Sequence, residues 1–317
     1  MNPTSITMED IGAAQDRIAP FIHRTPILTS ATFNRLLGCE LFFKCENFQK
    51  VGAFKYRGAT NAVTQLDQGE AGRGVATHSS GNHAQALALA AAIKGIPAFI
   101  VMPRNAPLSK KEAVAGYGAK VIECEPTLEA RESTLNQVVK ETGATFIHPY
   151  NNDKIIAGQA TCALEILQKI HELDILIAPV GGGGLLSGTA LTARYFSPKT
   201  RVFGAEPTGA DDAYRSKESG RIVPSVNPKT IADGLLTSVG DKTFPIIQKY
   251  VERILTVDDD VTIKAMKLIW QRMKIIVEPS AAVALAVVMA HENHFKNQRI
   301  GIILSGGNMD FDKIPFS

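Results

Sequence analysis

Short, almost continuously apolar segments alternate with longer helical segments along this chain of 317 residues. Ile175–Ala178 and Ile300–Leu304 are the clearest examples, and such runs are typical of parallel strands buried on both faces. Parallel neighbours need crossover connections, usually helices, so the alternation predicts an α/β fold with parallel sheets. The predicted strands are Leu41–Cys45, Ala98–Met102, Lys120–Ile122, Thr145–Ile147, Ile175–Ala178, Arg201–Ala205 and Ile300–Leu304. The predicted helices are Asn82–Lys94, Ala157–Lys169, Leu185–Tyr195 and Ile263–Met273.

Composition and charge exclude several classes of protein. Apolar residues make up 45% of the chain and charged residues 21%, which is typical of a folded globular protein rather than a disordered one. The net charge of +3 is spread along the sequence, without the basic cluster that marks a nucleic-acid-binding surface. The apolar segments of the chain are too short to span a membrane. We therefore expect neither nucleic acid nor membrane as a partner.

The cysteines bear on the cellular compartment. Cys39, Cys45, Cys124 and Cys162 are scattered, with no CxxC pair. This pattern is typical of a reducing compartment rather than of a disulfide scaffold. The start of the sequence also lacks a basic segment followed by an apolar core, which a secretory signal would show. The expected location is the cytoplasm.

Four consecutive glycines, Gly181–Gly184, separate a predicted strand from a predicted helix. The backbone amides of such a loop can converge on an anion at the helix N-terminus, where the helix dipole also favours negative charge. A phosphate site is therefore favoured over a flexible turn. The nucleotide motif GxxxxGK(S/T) is absent, and Ser187 stands where GxGxxG needs its third glycine.

A nicotinamide-dependent dehydrogenase remains an alternative at this point. Glu206 ends the next strand, roughly 20 residues on, where a dinucleotide-binding fold places the acid that binds the ribose. Such an enzyme would give no role to two further motifs, one around Lys55 and one around Asn82.

The segment GAFKYRGA holds Lys55 between two aromatic residues, with glycines on either side. An isolated lysine is ordinarily a solvated surface charge. The bulky neighbours indicate a partly buried side chain instead, and burial lowers a lysine pKa and frees the amine to act as a nucleophile. Such an amine can form a Schiff base with an aldehyde cofactor.

Polar side chains gather in two other segments. Residues Thr77–Gln85, THSSGNHAQ, connect a strand to a helix and carry hydroxyl, amide and imidazole groups. Together with the free amides of a helix N-terminus they would form a site for a carboxylate, although ordinary capping explains one of them. Ser305–Asn308, SGGN, ends the last predicted strand and either forms a turn or places the Ser305 hydroxyl against a ligand.

A loop rich in acids follows another predicted strand and contains Glu206, Asp211 and Asp212. Carboxylate oxygens are the ligands that Mg²⁺ and Ca²⁺ prefer. Solvated surface acids are the commoner outcome of such a sequence, so the residues alone favour that interpretation.

In this order, the motifs GAFKYRGA, SSGNHAQ, GGGGLLSG and SGGN resemble those of the fold-type II pyridoxal-phosphate enzymes. The resemblance covers nearly the whole chain and is strongest to the serine racemase and serine/threonine dehydratase family, which includes the threo-3-hydroxyaspartate dehydratases. It implies two open, twisted, mostly parallel sheets with flanking helices, as in the β-subunit of tryptophan synthase. It also implies a large domain of residues 1–73 and 151–317, a small domain of residues 74–150, and a homodimer.

The resemblance also implies roles for individual residues. Lys55 would hold pyridoxal 5′-phosphate as a Schiff base, and Ser80 would be a second acid–base group. Tyr150 stands where mammalian relatives have an asparagine near the cofactor, so that edge would be contacted differently. The residues implied to bind the cofactor are Phe54, Lys55, Asn82, Tyr150, Gly181, Gly182, Gly183, Gly184, Leu185 and Ser305. Those implied to bind the substrate are Ser79, Ser80, Asn82, Gln85, Arg131 and Thr237.

Two further sites are implied by the resemblance. Mg²⁺, or alternatively Ca²⁺ or Mn²⁺, would be bound by Glu206, the Ala210 carbonyl and Asp212. A site for ATP as an effector, at the dimer interface of mammalian relatives, is matched by Gln85, Tyr117 and Asn308.

The activity implied by the resemblance is the interconversion of L- and D-serine, with β-elimination to pyruvate and ammonia. Racemisation needs an acid–base group on each face of Cα, and Lys55 and Ser80 would supply them. The alternative is dehydration of threo-3-hydroxyaspartate or L-threonine with little racemisation. The sequence leaves open the preference among these three hydroxy amino acids.

Overall fold

The computed structural model describes residues 3–311 and 314–316; residues 1–2, 312–313 and 317, which fall in the predicted large domain, lie outside the described part. The strands of the described part are β1 Ile27–Thr29, β2 Glu40–Cys45, β3 Val75–His78, β4 Ala98–Pro103, β5 Lys120–Cys124, β6 Thr145–Phe146, β7 Ile175–Pro179, β8 Arg201–Pro207, β9 Arg253–Val257 and β10 Arg299–Leu304. Its α-helices are α1 Met8–Ile18, α2 Ala31–Leu37, α3 Lys55–Val63, α4 Gln68–Arg73, α5 Asn82–Lys94, α6 Leu108–Gly116, α7 Leu128–Thr142, α8 Asp153–Lys169, α9 Gly184–Phe196, α10 Asp212–Ser219, α11 Thr243–Tyr250, α12 Asp259–Met273 and α13 Pro279–Ala290.

The larger of two sheets has six strands in the order β1-β2-β10-β7-β8-β9. All neighbours in it are parallel except β1, which runs antiparallel to β2. Helices α2, α12 and α13 pack on one face, and α1, α8, α9 and α11 pack on the other. Its central strands are therefore buried on both sides, which explains their almost continuously apolar sequences.

The smaller sheet has four parallel strands in the order β5-β4-β3-β6. Helices α3, α5 and α6 pack on one of its faces and α7 on the other. All four strands lie inside the segment 74–150 that the resemblance assigns to the small domain. The domain boundaries themselves stay a prediction.

Glycines bring α3 and α9 into close contact with α8. A Cβ atom at Gly58 would lie 2.9 Å from the backbone oxygen of Ile155, and one at Gly188 would lie 2.7 Å from the backbone nitrogen of Ala160. Both distances are too short for a side chain, so the helices approach each other more closely than larger residues would permit. This contact fixes the start of α3, which is Lys55, and the start of α9 on one central helix.

The predicted fold class is confirmed, and each predicted strand and helix is present. Helix α5 has the predicted bounds, whereas α8 begins earlier, at Asp153, because the Asn152 side chain caps its N-terminus. The apolar pattern does not indicate β1, β9 or α13. None of the helices in the described ranges combines the length and the apolar character needed to cross a membrane.

Candidate active site

Loops that follow strands of both sheets meet at one place. Lys55, after β2, contacts Pro149, after β6. Asn82, after β3, contacts Asn308, after β10, and Tyr150 lies against the glycine-rich loop after β7. In open α/β sheets, ligands bind in the crevice at the carboxyl ends of the strands. The structure thus brings the four sequence motifs together around one crevice.

Lys55 is the first residue of α3, and its side chain is partly buried. Its Nζ donates a hydrogen bond of 2.9 Å to the carbonyl oxygen of Pro149 and lies 5.2 Å from the ring centroid of Phe54. Burial lowers the pKa of the Lys55 amine to about 8. At neutral pH, a much larger fraction of this amine is unprotonated and nucleophilic than in an ordinary lysine.

The glycine-rich loop Gly181–Gly184 connects β7 to α9 and has the shape of a cradle. Gly183 adopts a φ of +88°, and a Cβ atom at Gly181 would lie 3.0 Å from the Cα atom of Leu235. No side chain caps the start of α9, and the first amides of a helix have no acceptor within it. Gly182 to Leu185 therefore fit an anionic group such as a phosphate.

Tyr150 packs against this loop. A Cβ atom at Gly182 would collide with the Tyr150 ring. The rings of Tyr150 and His148 pack edge to face, with their centroids 4.5 Å apart. Burial raises the pKa of the Tyr150 phenol, while a hydrogen bond with the Thr237 side chain opposes that shift. The sequence-predicted residues Tyr150 and Thr237 are thus neighbours beside the cradle.

Asn82 forms a network with two residues of the large-sheet side. Its Nδ2 donates to Glu278 Oε1 at 2.9 Å, and its Oδ1 accepts from Asn308 Nδ2 at 2.8 Å. Glu278 Oε2 also accepts from the backbone amide of Asn308 at 3.1 Å. Burial, with the nearby Asp233, raises the pKa of the Glu278 carboxyl to about 8. Sequence reasoning missed Glu278, whose only signal is a lone acid after the apolar segment that ends at Val277.

The predicted serines occupy two of the loops. The Ser79 hydroxyl accepts a hydrogen bond of 3.3 Å from the amide of Gly81, and Ser80 is partly exposed just before α5. Ser305 is buried, with 3% of its surface exposed, and its carbonyl accepts from the amide of Phe54 at 3.0 Å. Ser305 therefore lies beside the Lys55 segment, while Ser79 and Ser80 approach the crevice from the smaller sheet.

Arg131 adds a cationic group from the first turn of α7. Its Nε atom is buried without a hydrogen-bond partner, and its charge acts on His78, whose pKa is lowered chiefly by burial. An unpaired guanidinium nitrogen is costly unless a ligand anion satisfies it. The arrangement fits the carboxylate-binding role predicted for Arg131.

Two histidines near Lys55 were not among the predicted site residues. His83 Nε2 lies 3.1 Å from the carbonyl oxygen of Ile147, and burial lowers the His83 pKa to about 3. His148 Nδ1 accepts from the amide of Asn151 at 2.9 Å, and burial lowers its pKa to about 4. Both imidazoles are therefore neutral at neutral pH, when they add no positive charge around the lysine.

The acidic loop after β8 is buried rather than solvated, contrary to the commoner outcome for such a sequence. Glu206 is fully buried and accepts hydrogen bonds of 2.8 Å from the amides of Ala213 and Tyr214. Both carboxylate oxygens of Asp212 are buried without a well-formed hydrogen bond, and the nearby Ser225 side chain only partly offsets the effect of burial on the Asp212 pKa. Burial raises the pKa of Glu206 to about 9 and that of Asp212 to about 6. Asp211 instead pairs with Arg215, at 2.8 Å.

These acids offer a divalent cation two carboxylates. In the described ranges, no cluster of three or more His, Cys, Asp or Glu side chains could hold a metal. A cation bound here would therefore complete its shell with a carbonyl, such as that of Ala210, and with water, which Mg²⁺ retains readily. The unpartnered oxygens of Asp212 are the observation that fits a cation.

A cavity of about 510 Å³ adjoins Asn82's network, since Asn308 belongs to both. Gln85 and Asn308 line it, together with Lys110 and Asp233, which form an ion pair of 2.9 Å. Tyr117, the third predicted effector residue, is not among its lining residues and packs with the core of the smaller sheet instead. The structure therefore brings together two of the three predicted effector residues.

Comparison with known proteins gives close relatives over the full chain. A family model described as pyridoxal-phosphate dependent enzyme matches residues 18–306. The chain is 52% identical to the β-hydroxyaspartate dehydratase of Paracoccus denitrificans, over 98% of this chain and 99% of that protein. It is 50% identical to the serine racemase of Dictyostelium discoideum, over 98% of this chain and 97% of the relative.

Solved structures agree with these relatives. The crystal structure of the Dictyostelium serine racemase matches with a TM-score of 0.93, covering 97% of this chain and all of the other. The structure of maize serine racemase matches with a TM-score of 0.95 at 46% identity, covering 98% of this chain and 95% of the other. The chain therefore belongs to the family of pyridoxal-phosphate dependent enzymes.

Proposed function

We propose that this enzyme interconverts L- and D-serine and also eliminates the β-hydroxyl of serine, giving pyruvate and ammonia. The observation that carries the proposal is the partly buried amine of Lys55, with its pKa of about 8, in the crevice that the four motifs share. The serine racemase relatives, at 44–50% identity over nearly the full chain, support the choice of substrate.

The cofactor, when bound, supplies the electron sink that stabilises a carbanion at the substrate Cα. The chain's own residues bind and orient it. Lys55 would link to its aldehyde, Gly181–Gly184 and Leu185 would bind its phosphate, and Ser305 would face the ring nitrogen. Asn82 would bond the ring hydroxyl through one of its two Nδ2 hydrogens, although Nδ2 contacts both oxygens of Glu278, at 2.9 and 3.3 Å.

Lys55 and Ser80 would move the proton at Cα. An amine with a pKa near 8 can take up and return a proton at neutral pH. Ser80 reaches the crevice from the loop after β3, in the smaller sheet, whereas Lys55 follows β2 of the larger sheet. Two acid–base groups that come from different sheets can face opposite sides of one carbon atom, which racemisation requires.

The substrate carboxylate would lie at the N-terminus of α5. Gly81, its N-cap residue, has no side chain to satisfy the first amides of that helix, and the helix dipole favours an anion there. Ser79, Asn82 and Gln85 surround the same turn, and Arg131 and Thr237 would close the site from the other side.

Dehydration of threo-3-hydroxyaspartate, with little racemisation, is the second candidate; dehydration of L-threonine is a third. The 52% identity to a β-hydroxyaspartate dehydratase favours the former. So does the buried, unpartnered Nε of Arg131, because a substrate with a second carboxylate needs a partner for it besides the N-terminus of α5.

Mg²⁺ is proposed as the ion bound by Glu206, the Ala210 carbonyl and Asp212, with Ca²⁺ or Mn²⁺ as substitutes. The proposal is supported by the two carboxylates of raised pKa, because a divalent charge would stabilise both in their ionised form. ATP is proposed as an effector in the cavity lined by Gln85 and Asn308, where a phosphate would compete with Asp233 for the charge of Lys110. Tyr117, the third residue implied for this effector, does not line the cavity.

A homodimer and a cytoplasmic location complete the proposal. Two exposed apolar side chains, Leu108 and Phe311, each follow a residue that lines the same cavity, and they are 68% and 59% exposed. A second copy of the chain would cover such apolar surface. The four cysteines are free and buried, which suits a reducing compartment.

Borohydride trapping followed by peptide mapping tests the role of Lys55. The purified holoenzyme should carry the reduced cofactor on the peptide that contains Lys55. Lys55→Ala should abolish both the label and activity while the fold survives, whereas Lys50→Ala, in the same loop, should keep both. Label on another lysine would refute the assignment.

A further inference from the structure

Four charged side chains form a buried ionic cluster close to Lys55: Lys44, Glu46, Arg57 and Glu165. Each is 5% exposed or less. Lys44 belongs to β2, Glu46 follows that strand, Arg57 is in the first turn of α3, and Glu165 is in α8. The cluster has two positive and two negative charges. Arg57 follows Lys55 by two residues and is therefore the member tied most directly to the proposed cofactor lysine.

Arg57 uses all five of its N–H donors within the cluster and its surroundings. Its Nε and Nη2 donate to the two oxygens of Glu46 at 2.7 and 2.8 Å. Its Nη1 and Nη2 donate to the two oxygens of Glu165 at 2.7 and 3.0 Å, and Nη1 also donates to Thr161 at 3.2 Å. A guanidinium has five such donors in a rigid fork. The geometry is bidentate toward two carboxylates at once, which a lysine cannot reproduce.

Lys44 and the neighbouring Thr25 add second hydrogen bonds to carboxylate oxygens that Arg57 already contacts. Lys44 Nζ donates to Glu165 and, at 2.8 Å, to the carbonyl oxygen of Thr25. The Thr25 hydroxyl donates to Glu46 at 2.6 Å. Burial alone would raise the pKa of Glu46, but Arg57 and then Lys44 hold it below its ordinary value. Glu46 is therefore held in its ionised form, and every carboxylate oxygen of the cluster accepts at least one hydrogen bond.

Stability alone is a weak reason for such a cluster. The desolvation of buried charges offsets much of their attraction, and apolar replacements are often equally stable. What an apolar group cannot provide is the directional geometry of hydrogen bonds. The fork of Arg57 fixes the first turn of α3 relative to the end of β2 and to α8 at the same time.

The first turn of α3 needs this external support. Its N-cap residue Phe54 has helical backbone angles and makes no side-chain cap. The turn is held instead by the Phe54 amide on the Ser305 carbonyl, at 3.0 Å, and by the Gly58 amide on Gln159 Oε1, at 3.1 Å. Arg57 lies between Phe54 and Gly58 in the sequence. Those two residues hold the turn through their backbone amides, whereas Arg57 holds it through its side chain.

We propose that Arg57 is a positioning residue that holds the Lys55 amine at the place from which it reaches both the cofactor and the substrate Cα. The inference rests on the proposed role of Lys55. A proton transfer requires near-contact geometry, and a misplacement of about 1 Å can cost on the order of 100-fold in rate. Arg57 contributes no atom to the reaction.

The test compares Arg57→Lys with the wild-type holoenzyme. The variant keeps the charge but loses the fork. We expect kcat to fall by about 10- to 100-fold with KM within about twofold. We also expect slower borohydride trapping at Lys55 and a changed circular dichroism band of the bound cofactor. Arg17→Lys is the matched control, because Arg17 contacts the other half of α3 through Asn61, at 2.6 Å, and should leave all three readouts unchanged.

A second control separates positioning from stability. Ile269→Ala removes a fully buried side chain from the core beneath α12 and lowers the melting temperature without touching the cluster. If Arg57→Lys loses no more kcat than Ile269→Ala at an equal loss of melting temperature, and the cofactor band is unchanged, the proposal is overturned. If Arg57→Lys does not fold, Thr161→Val, which removes one of the five hydrogen bonds, replaces it. An unchanged cofactor band and trapping rate in that variant would overturn the proposal equally. Trapped label on a lysine other than Lys55 would instead refute the proposed function.

Discussion

Lys55 owes its expected reactivity to its surroundings. Burial is what lowers its pKa to about 8, and its hydrogen-bond partner is the uncharged carbonyl of Pro149. The aromatic and glycine neighbours within the motif predicted the burial. The partner lies 94 residues further along the chain, so no local pattern could indicate it.

The same reason explains why Glu278 was missed. It is 196 residues from Asn82, and it accepts a hydrogen bond from the side-chain amide of that residue. A single acid beside an apolar segment has many ordinary explanations, whereas four glycines between a strand and a helix have few. Motifs that act through local backbone geometry were predictable; single residues that act through tertiary contacts were not.

Ser80 decides between racemisation and simple dehydration at the scale of a residue. Ser80→Ala should lose L-to-D serine interconversion by about 10²- to 10⁴-fold, the usual contribution of a general acid–base group. It should keep much of its dehydration of L-serine, because Lys55 still removes the proton from its own side of Cα. Chiral chromatography of serine, alongside pyruvate formation, measures both activities.

Two outcomes of that experiment would change the assignment. A wild-type enzyme that makes no D-serine from L-serine would favour dehydration of hydroxyaspartate or threonine as the function. A Ser80→Ala enzyme that racemises as fast as wild type would show that the second proton comes from elsewhere. Ser133→Ala, on the exposed side of α7, is the control for activity lost during the preparation of a variant.

At the scale of elements, the periodicity of apolar residues did not indicate a helix that is completely buried. Helix α13 is buried along nearly its whole length and apolar on all sides, so it lacks the 3.6-residue periodicity that marks a half-exposed helix. Strand β9 carries an exposed Arg253 and only two buried residues, so its sequence is not a continuous apolar run. Helix α5 was predicted with correct bounds because Gly95 ends it in a left-handed conformation, with a φ of +65°.

The contact between α8 and α9 should be sensitive to a single methyl group. Gly188→Ala places a Cβ atom 2.7 Å from the backbone nitrogen of Ala160. Because backbone must move, the free energy of unfolding should fall by about 1–3 kcal/mol. Gly12→Ala, in α1 where a Cβ atom meets nothing within 4 Å, should raise it by about 0.5–1 kcal/mol. Urea unfolding measures both, and equal effects would contradict the close packing.

The loop between β8 and α10 should report a bound cation. Mg²⁺ should raise the melting temperature of wild type by mass action, and Asp212→Asn should abolish the rise, because the charge of Asp212 and one of its two buried oxygens are lost. Asp211→Asn is the matched control, since Asp211 pairs with Arg215 on the surface and should keep the full response. The measurement is thermal unfolding in EDTA and in Mg²⁺. A response that Asp212→Asn shares with wild type would place the ion elsewhere.

At the scale of the whole molecule, the site belongs to neither sheet alone. Asn82 and Pro149 follow strands of the smaller sheet, while Lys55, Gly181–Gly184 and Asn308 follow strands of the larger one. Alternation of strands and helices predicted the fold class, but it carries no information on which strands share a sheet. That division follows from long-range pairing, such as β10 between β2 and β7, and the resemblance to a family supplied it here.

Glu278 joins the two halves through Asn82 and Asn308, and its ionisation should therefore affect the stability of the whole molecule. Its pKa is about 8 in the folded protein, against an ordinary value of 4.5. A raised pKa means that the protonated carboxyl stabilises the fold. This stabilisation is fully present below the unfolded pKa and is lost as the pH rises toward 8.

In the cofactor-free protein, Glu278 should lower the free energy of unfolding by up to about 1.4 kcal/mol between about pH 6.5 and 7.5. Glu278→Gln, which resembles the protonated form, should lose that share of the pH dependence and show a flatter profile of melting temperature. Identical pH profiles for the two proteins would mean that Glu278 is already ionised in the folded state at the lower end of that range.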